Sequence, residues 1–225
     1  MTYSNLKIAI DGPASSGKST VAKLLAEDFN LVYVDTGAMY RSLTYAAIHT
    51  ETPIDDEEKL MQLLNQTEIT FERVAEGQLV YVNNQEVTDK IRGNDVTNNV
   101  SVVSSFEKIR EELVNQQREI AKDSGVVMDG RDIGTVVLPE ADVKIFLVAS
   151  VNERAQRRHL ENIEKGFDSN LEKIKEEIQA RDEFDSNREI SPLKQAKDAI
   201  LLDTTSLSIA EVVKECKKIV KNAIK

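Results

Sequence analysis

The chain has 225 residues, enough for one domain with small insertions and a sizeable core. Its 29 basic residues stand against 39 acidic ones, and this net charge of −10 argues against general nucleic-acid binding, which needs a basic surface. One cysteine, Cys216, and two scattered histidines, His49 and His159, exclude a disulfide framework, a cysteine zinc site and a His-rich metal site within the chain.

Residues 1–7 lack the basic and apolar regions of a signal peptide, and no apolar run reaches the length of a membrane span, so a cytoplasmic protein is expected. Leu6-Lys7-Ile8-Ala9-Ile10-Asp11 reads as a buried strand. It leads into Gly12-Pro13-Ala14-Ser15-Ser16-Gly17-Lys18-Ser19, the pattern G-x-x-x-x-G-K-[ST], and then into a helix over 19–28 with Val21, Leu24 and Leu25 on one face. Strand, glycine loop and helix together turn that pattern into a phosphate cradle. Successive loop N–H groups form an anion nest, and the helix aims its unpaired N–H groups and positive dipole end at the same place. Lys18 is expected on the β- and γ-phosphates, and the Ser19 hydroxyl on Mg²⁺.

A second apolar strand, 31–35, ends in Thr36-Gly37-Ala38-Met39-Tyr40-Arg41, from which a helix runs to about Ile48. An amphipathic helix follows over 56–65. From Glu68 onward short β-rich runs are punctuated by Gly77 and Asn83-Asn84, which reads as a small antiparallel sheet of hairpins inserted at 66–97. A helix is expected over 106–122, with Ile109, Leu113 and Ile120 near one face. Residues 125–129 form the next buried strand and lead into Gly130-Arg131-Asp132-Ile133-Gly134; residues 143–148 form another. Ser150-x-x-Glu153 is a capping box opening a charged helix that carries Arg154, Arg157, Arg158 and Lys165 and ends at Gly166. Leu171, Ile174 and Ile178 mark a helix leading to Arg181, Asp185 and Arg188, which share a face if the helix continues. Pro192 stops that region, 199–203 is the last strand, and Ser208-x-x-Glu211 caps the terminal helix, which carries Cys216 as a packed or half-exposed thiol. Apolar strands alternating with helices give an α/β fold with a central parallel sheet covered on both faces, and such sheets place ligands at the C-terminal strand ends.

A phosphate loop serves GTPases, motors and small-molecule kinases alike. The guanine-reading Asn-Lys-x-Asp of a GTPase is missing. Arginines are present instead: Arg41, Arg131 and Arg188 at strand ends or loops, and Arg154 with Arg158 four apart on a helix, with Arg157 beside them. Two arginine groups suggest two anionic clients, a donor triphosphate and an acceptor phosphate, because guanidinium forks grip phosphate oxygens in pairs. Arg73, Arg92 and Arg118 read as surface ion-pair residues.

The loop, Asp-Thr-Gly-Ala-Met-Tyr-Arg at 35–41, Asp-Gly-Arg-Asp-Ile-Gly-Thr-Val-Val at 129–137, Glu-Arg-Ala-Gln-Arg-Arg at 153–158 and Arg-Asp-x-x-Asp-Ser-x-Arg at 181–188 together resemble the bacterial cytidylate kinase family, over essentially the whole chain. The hairpin segment from Val82 to Arg92 shares the likeness; the family usually has Gly where this chain has Asn84, and Asn tolerates a left-handed turn. Some relatives have Lys-Gly in the loop, whereas Lys18-Ser19 keeps a hydroxyl for Mg²⁺. The resemblance implies transfer of the ATP γ-phosphoryl group to CMP or dCMP. It also implies a nucleoside-monophosphate-kinase fold: a P-loop core of 1–65, 98–149 and 193–225, a monophosphate-binding insert at 66–97, and a helical lid with an acceptor-contacting segment at 150–192.

Roles carry over on the matching residues. Gly12, Pro13, Ala14, Ser15, Ser16, Gly17, Lys18, Ser19 and Thr20 would hold the ATP phosphates, with Arg154, Arg157 and Arg158 coming from the lid. Thr36, Gly37, Tyr40 and Gly130 would belong to the CMP site, in which Arg41, Arg131 and Arg188 would hold the acceptor phosphate, Ser101, Arg110 and Asp132 would read cytosine, and Arg181 and Asp185 would contact the sugar. Lys18, Arg131, Arg154, Arg158 and Arg188 form the implied catalytic set. Asp129 resembles a strand-end acid that orients Mg²⁺ through water, with Asp35 as the other candidate. Cytosine fits this set, since Asp132 can accept from N4 and Arg110 can donate to N3 or O2. Uracil reverses those features, and unpaired buried groups at such a site reject an analogue by up to ~10⁴-fold. The expected partners are therefore CMP, dCMP and ATP with Mg²⁺, no nucleic-acid polymer and no membrane; a monomer is expected. The rivals are a P-loop kinase for another acceptor, such as UMP or shikimate, and a non-catalytic nucleotide-binding regulator. The regulator predicts loss of Lys18, Ser19 or the acceptor arginines, all of which are present.

Overall fold

The computed structural model describes residues 5–74, 77–164 and 166–224; residues 1–4 of the N-terminal stretch and Lys165 of the charged helix lie outside them. The described residues within Met1–Val34 and Ile120–Lys225 form one compact unit, and those within Asp35–Glu119 form a second.

The first unit is built on β1 (Lys7–Asp11), β6 (Val126–Gly130), β7 (Val143–Val148) and β8 (Ile200–Asp203), with β2 (Val32–Asp35) completing the order β2-β6-β1-β7-β8. β1 runs parallel to both β6 and β7, and β8 is parallel to β7. β1, β6 and β7 are buried on both faces, as the unbroken apolar runs of the sequence require. Ile8 and Ile10 alternate onto one face with Ile145 and Leu147, and there they meet α1 (Lys18–Phe29) and α8 (Ile209–Ala223) in a continuous core. The buried stripe of α1 is Val21, Ala22, Leu25, Ala26 and Phe29, whereas Leu24 is exposed. Leu24 was expected on that stripe; the two alanines let the helix lie close to the sheet, and this rotates Leu24 outward. Ser208 and Glu211 form the expected reciprocal capping box on α8, and Cys216 is fully buried, its thiol pushed up to about 12 by burial.

α6 (Val151–Glu164) and α7 (Leu171–Asn187) pack on each other through Ala155, Ile174 and Ile178. Gly166 ends α6 with φ +76, where its N–H donates to Ile163 C=O. α7 holds Arg181 and Asp185 but stops one residue short of Arg188, whose backbone is already extended. A single helical face for all three residues is therefore corrected: the chain turns away through Ser191, at φ +50, ahead of Pro192.

The second unit begins at Asp35. α2 (Thr36–His49) starts at once, earlier than the sequence suggests, because Asp35 Oδ1 accepts the Ala38 N–H at 2.9 Å and caps the helix. α3 (Glu57–Leu64) is capped likewise by Asp56. β3 (Ile69–Val74), β4 (Gly77–Val82) and β5 (Gln85–Glu86) form the antiparallel sheet. Val82 pairs with Gln85 across a two-residue turn with Asn83 at φ +49 and Asn84 at φ +64, the double left-handed geometry of a hairpin turn. A 3-10 turn (Lys90–Arg92) leads to α4 (Asn94–Val103), a helix the sequence does not advertise. Its Asn, Asp, Thr, Ser and Val residues are weak helix formers, and burial of Val96, Val100 and Val103 at helical spacing sustains it. α5 (Glu107–Lys122) joins Ile109 and Leu113 to a core with Met39, Tyr40 and Leu43 of α2.

Candidate active site

β1 delivers the chain into the glycine loop through Gly12, at φ +150. A Cβ here would lie 2.0 Å from the Leu147 carbonyl oxygen, so the close approach of backbone to β7 admits glycine alone. Ser15 at φ +58 and Gly17 at φ +88 complete the curl, and α1 begins at Lys18. The Lys18 ammonium is buried and folded back on the loop, donating to Pro13 C=O at 2.7 Å and to Ser16 Oγ at 3.4 Å. Burial, and after it the Arg131 guanidinium, push Lys18 down to about 7; Asp129 and Asp11 pull the other way. Ser19 Oγ donates to Asp129 Oδ2 at 2.8 Å, and Tyr33 holds the other oxygen, Oδ1, at 2.8 Å. A hydroxyl and a carboxylate side by side at the loop form a hard-oxygen donor pair that suits Mg²⁺, an ion that keeps most of its waters and takes few protein ligands.

The loop is also gripped from α6 and α7. Arg154 is buried, donating from Nε to Ala149 C=O at 2.9 Å and from Nη1 to Ala14 C=O at 3.0 Å, while Nη2 pairs with Asp182 at 2.6 Å. Asp182 also accepts the Ala14 N–H at 3.4 Å. Arg157 turns to the segment after β8, donating to the Thr204 carbonyl at 2.7 Å and to its hydroxyl at 3.1 Å. Arg158 pairs with Glu161 at 3.7 Å.

Beyond β6 the arginines and carboxylates interlock. Arg131 Nε donates to Asp185 Oδ2 at 2.9 Å, Arg181 approaches the same oxygen at 4.0 Å, and Arg188 Nη2 lies 3.9 Å from Asp132 Oδ1. Arg188 Nε also donates to the Ser191 carbonyl at 2.7 Å. Burial alone would raise the Asp185 pKa, but Arg131 and Arg181 outweigh it and hold the carboxyl below its ordinary range. Arg131, Arg181 and Arg188 thus lie beside two buried aspartates, and the charge-assisted hydrogen bond to Asp185 fixes the Arg131 guanidinium in place.

In the second unit Asp35 holds Arg41 at 2.8 Å and Arg92 at 3.4 Å. Burial pulls its pKa upward, but the two guanidiniums and the Ala38 N–H prevail and leave it low. Arg110 is buried, with its guanidinium 5.2 Å from the Tyr40 ring centre and Nη1 donating to Ser104 C=O at 2.9 Å. Ser101, half-buried on α4, precedes that carbonyl by one turn.

A sequence profile described as cytidylate kinase matches residues 8–222. A cytidylate kinase of Bacillus cereus is 60% identical over 215 residues, covering 96% of each chain. One from Leuconostoc mesenteroides is 61% identical over 220 residues, covering 98% of each. The chain belongs to the cytidylate kinase family. A solved structure of an uncharacterized protein from Eubacterium ventriosum matches 97% of this chain and 99% of its own with a TM-score of 0.52 at 14% identity, a likeness of fold alone.

Against that family's expected roles, the loop residues, Arg131, Asp132, Arg154, Arg181, Asp185 and Arg188 all lie in the first unit, and Thr36, Gly37, Tyr40, Arg41, Ser101 and Arg110 all lie in the second. Thr20 is exposed on α1. Arg92, read as a surface residue, is instead half-buried and attached to Asp35. Two acids escaped the sequence reading. Asp182 adjoins Arg181 within the recognised motif, and its spacing from Arg154 is invisible along the chain. Asp11 ends β1 directly before the loop, and an acid closing an otherwise apolar strand was the available signal.

Proposed function

We propose that this enzyme transfers the γ-phosphoryl group of ATP to CMP or dCMP, giving ADP and the pyrimidine nucleoside diphosphate. The observation that carries the reading is that the first unit holds both a curled loop around a buried lysine and Arg131 and Arg188 set beside Asp185 and Asp132. Family membership supplies the acceptor class.

The acceptor phosphate is itself an anionic nucleophile, so the reaction needs no general base. The protein's work is alignment and charge neutralisation around a loose, in-line transition state. Lys18 moves from its own loop carbonyl to the β- and γ-phosphates, which also take the loop N–H groups. Arg131, Arg188 and Arg41 bind the acceptor phosphate, Arg181 and Asp185 the sugar, and Asp132, Arg110 and Ser101 the cytosine. Arg154, already bonded to the loop at Ala14, and Arg158 cover the transferring group, with Arg157 on the donor side. Ser19 and Asp129, already hydrogen-bonded to each other, would hold Mg²⁺, which would neutralise charge on the donor's phosphate oxygens. Residues 66–97 act as the monophosphate-binding insert, 150–192 as lid and acceptor-contacting segment, and the rest as core. The lid excludes water, which would otherwise hydrolyse ATP. The enzyme is proposed to work as a cytoplasmic monomer.

A coupled ADP-release assay with CMP, dCMP, UMP, AMP and shikimate tests the reading. CMP and dCMP should turn over far above the rest. Comparable UMP turnover would remove Asp132 and Arg110 from base reading, and preference for shikimate or AMP would remove the function itself.

A further inference from the structure

After Asp132 the chain enters a π-helical turn, Ile133–Val137, closed by Val136 N–H to Asp132 C=O at 2.8 Å and Leu138 N–H to Ile133 C=O at 2.7 Å. The first N–H groups of any helical turn lack partners within it and need an outside acceptor. The side chain placed to supply one is Asp132, yet it makes no capping bond to this turn. The acceptor comes from 122 residues upstream: Asp11 Oδ1 takes the Ile133 N–H at 2.8 Å, and Oδ2 takes the Gly134 N–H at 2.7 Å. Both bonds are buried, and each oxygen of one carboxylate serves one of two successive N–H groups.

We propose that Asp11 is a positioning residue for base recognition: by capping the 133–137 turn from β1, it spares from that capping the Asp132 carboxylate, which the proposed function assigns to the acceptor base. The proposal rests on the reading of Asp132 given above. Asp11 immediately precedes Gly12, so the same two bonds also set the Arg131-Asp132 loop in register with the phosphate loop. A neutral amide offers one acceptor oxygen where two N–H groups need two. In Asp11→Asn one N–H therefore faces an NH₂ group, and Asp132 is the nearest side chain in sequence able to turn back and cap it.

The experiment measures kcat/KM for CMP and UMP in the wild type, Asp11→Asn, Asp132→Asn and the double variant, together with ATP affinity. In Asp11→Asn the CMP-over-UMP ratio should fall by about tenfold or more, while ATP affinity stays within about twofold. The second substitution should lower the ratio little further once the first is present, because both act through one carboxylate. A purely structural Asp11 would lower thermal stability and leave the ratio alone, and a ratio unchanged in folded Asp11→Asn overturns the proposal. If the wild type does not discriminate, or Asp132→Asn does not lower the ratio, it is the reading of Asp132 that fails instead. Asp11→Glu keeps the charge and displaces both oxygens by one methylene; it carries the same expectation should the Asn variant not fold. Should neither fold, amide exchange in the wild type decides: Ile133 and Gly134 N–H groups must be protected, and exchange at exposed-loop rates overturns the capping role.

Discussion

Asp11 closes β1 and Asp35 closes β2, and the two are almost equally hidden, at 4% and 5% exposure. Each is followed by the first residues of a motif proposed to bind phosphate. Their environments differ in kind. Asp11 is satisfied by two backbone N–H groups, and burial pushes it up to about 6. Asp35 has one backbone N–H and two guanidiniums, and it is held below the ordinary range. The first acid serves geometry and bears the cost of burial in its charge; the second serves to hold cations and is compensated by them. A buried carboxylate is thus informative only together with its donors.

The largest expected effect concerns the cations near each acid. Lys18 is one of the charges that favour ionised Asp11, and its proposed role is on the transferring phosphates. Lys18→Ala should lower turnover by at least roughly 10²–10³-fold and leave CMP affinity, measured without ATP, within about twofold. A large loss of CMP affinity would show that the lysine serves the acceptor and would erase the contrast with Arg41.

Next in size is the glycine after β1. In Gly12→Ala the new methyl meets a main-chain oxygen at 2.0 Å, which can yield only if β1 and β7 separate. Thermal unfolding should report a loss of about 3 kcal/mol or more. A melting temperature near that of the wild type would mean that the loop can be re-routed, and the rigid framing of Asp11 would go with it.

The contrast between the acids has a sign that pH can read. A carboxyl raised from 3.8 to about 6 favours the fold while protonated, and that contribution is lost as pH climbs between those values, by on the order of 3 kcal/mol. Asp35, lowered in the fold, contributes stability above 3.8 that disappears as pH falls through its folded pKa. Urea unfolding from pH 3 to 7 should therefore give opposite slopes. The wild type should lose stability relative to Asp11→Asn as pH rises from about 4 to 6, and relative to Asp35→Asn as pH falls below about 4. Slopes of the same sign would mean that the two sites do not differ as described.

The same contrast explains what could be read along the chain. Asp35 caps the helix three residues ahead and holds Arg41 six residues ahead, so its surroundings are local and the motif at 35–41 announces them. The hairpin turn at Asn83-Asn84, the Ser208 capping box and the phosphate loop were legible for the same reason. Asp11 meets the turn at 133–134, Arg131 meets Asp185, and Arg154 meets Asp182, pairings that only the sheet order and the packing of α6 on α7 create. α4 was hidden because its stability comes from buried valines and not from propensity. The arginines could be picked out from the sequence, and so could Asp35, Asp132 and Asp185; which carboxylate meets which arginine across the sheet could not.

The smallest expected effect is the counterpart of Gly12 after β2. A Cβ on Gly37 would stand 2.8 Å from Arg41 Nη1 and 3.2 Å from Asp35 Oδ1, so the obstacle is chiefly the end of a flexible side chain. Alanine is also favoured over glycine within a helix by about 1 kcal/mol, which offsets the crowding. Gly37→Ala should therefore change stability by less than about 1 kcal/mol while pushing Arg41 off its carboxylate. If Arg41 serves the acceptor phosphate, KM for CMP rises several-fold with kcat nearly unchanged, the signature of lost uniform binding. An unchanged KM with a displaced Arg41 would confine the Asp35 cluster to holding α2 in place, and Asp35 would then resemble Asp11 in serving geometry alone.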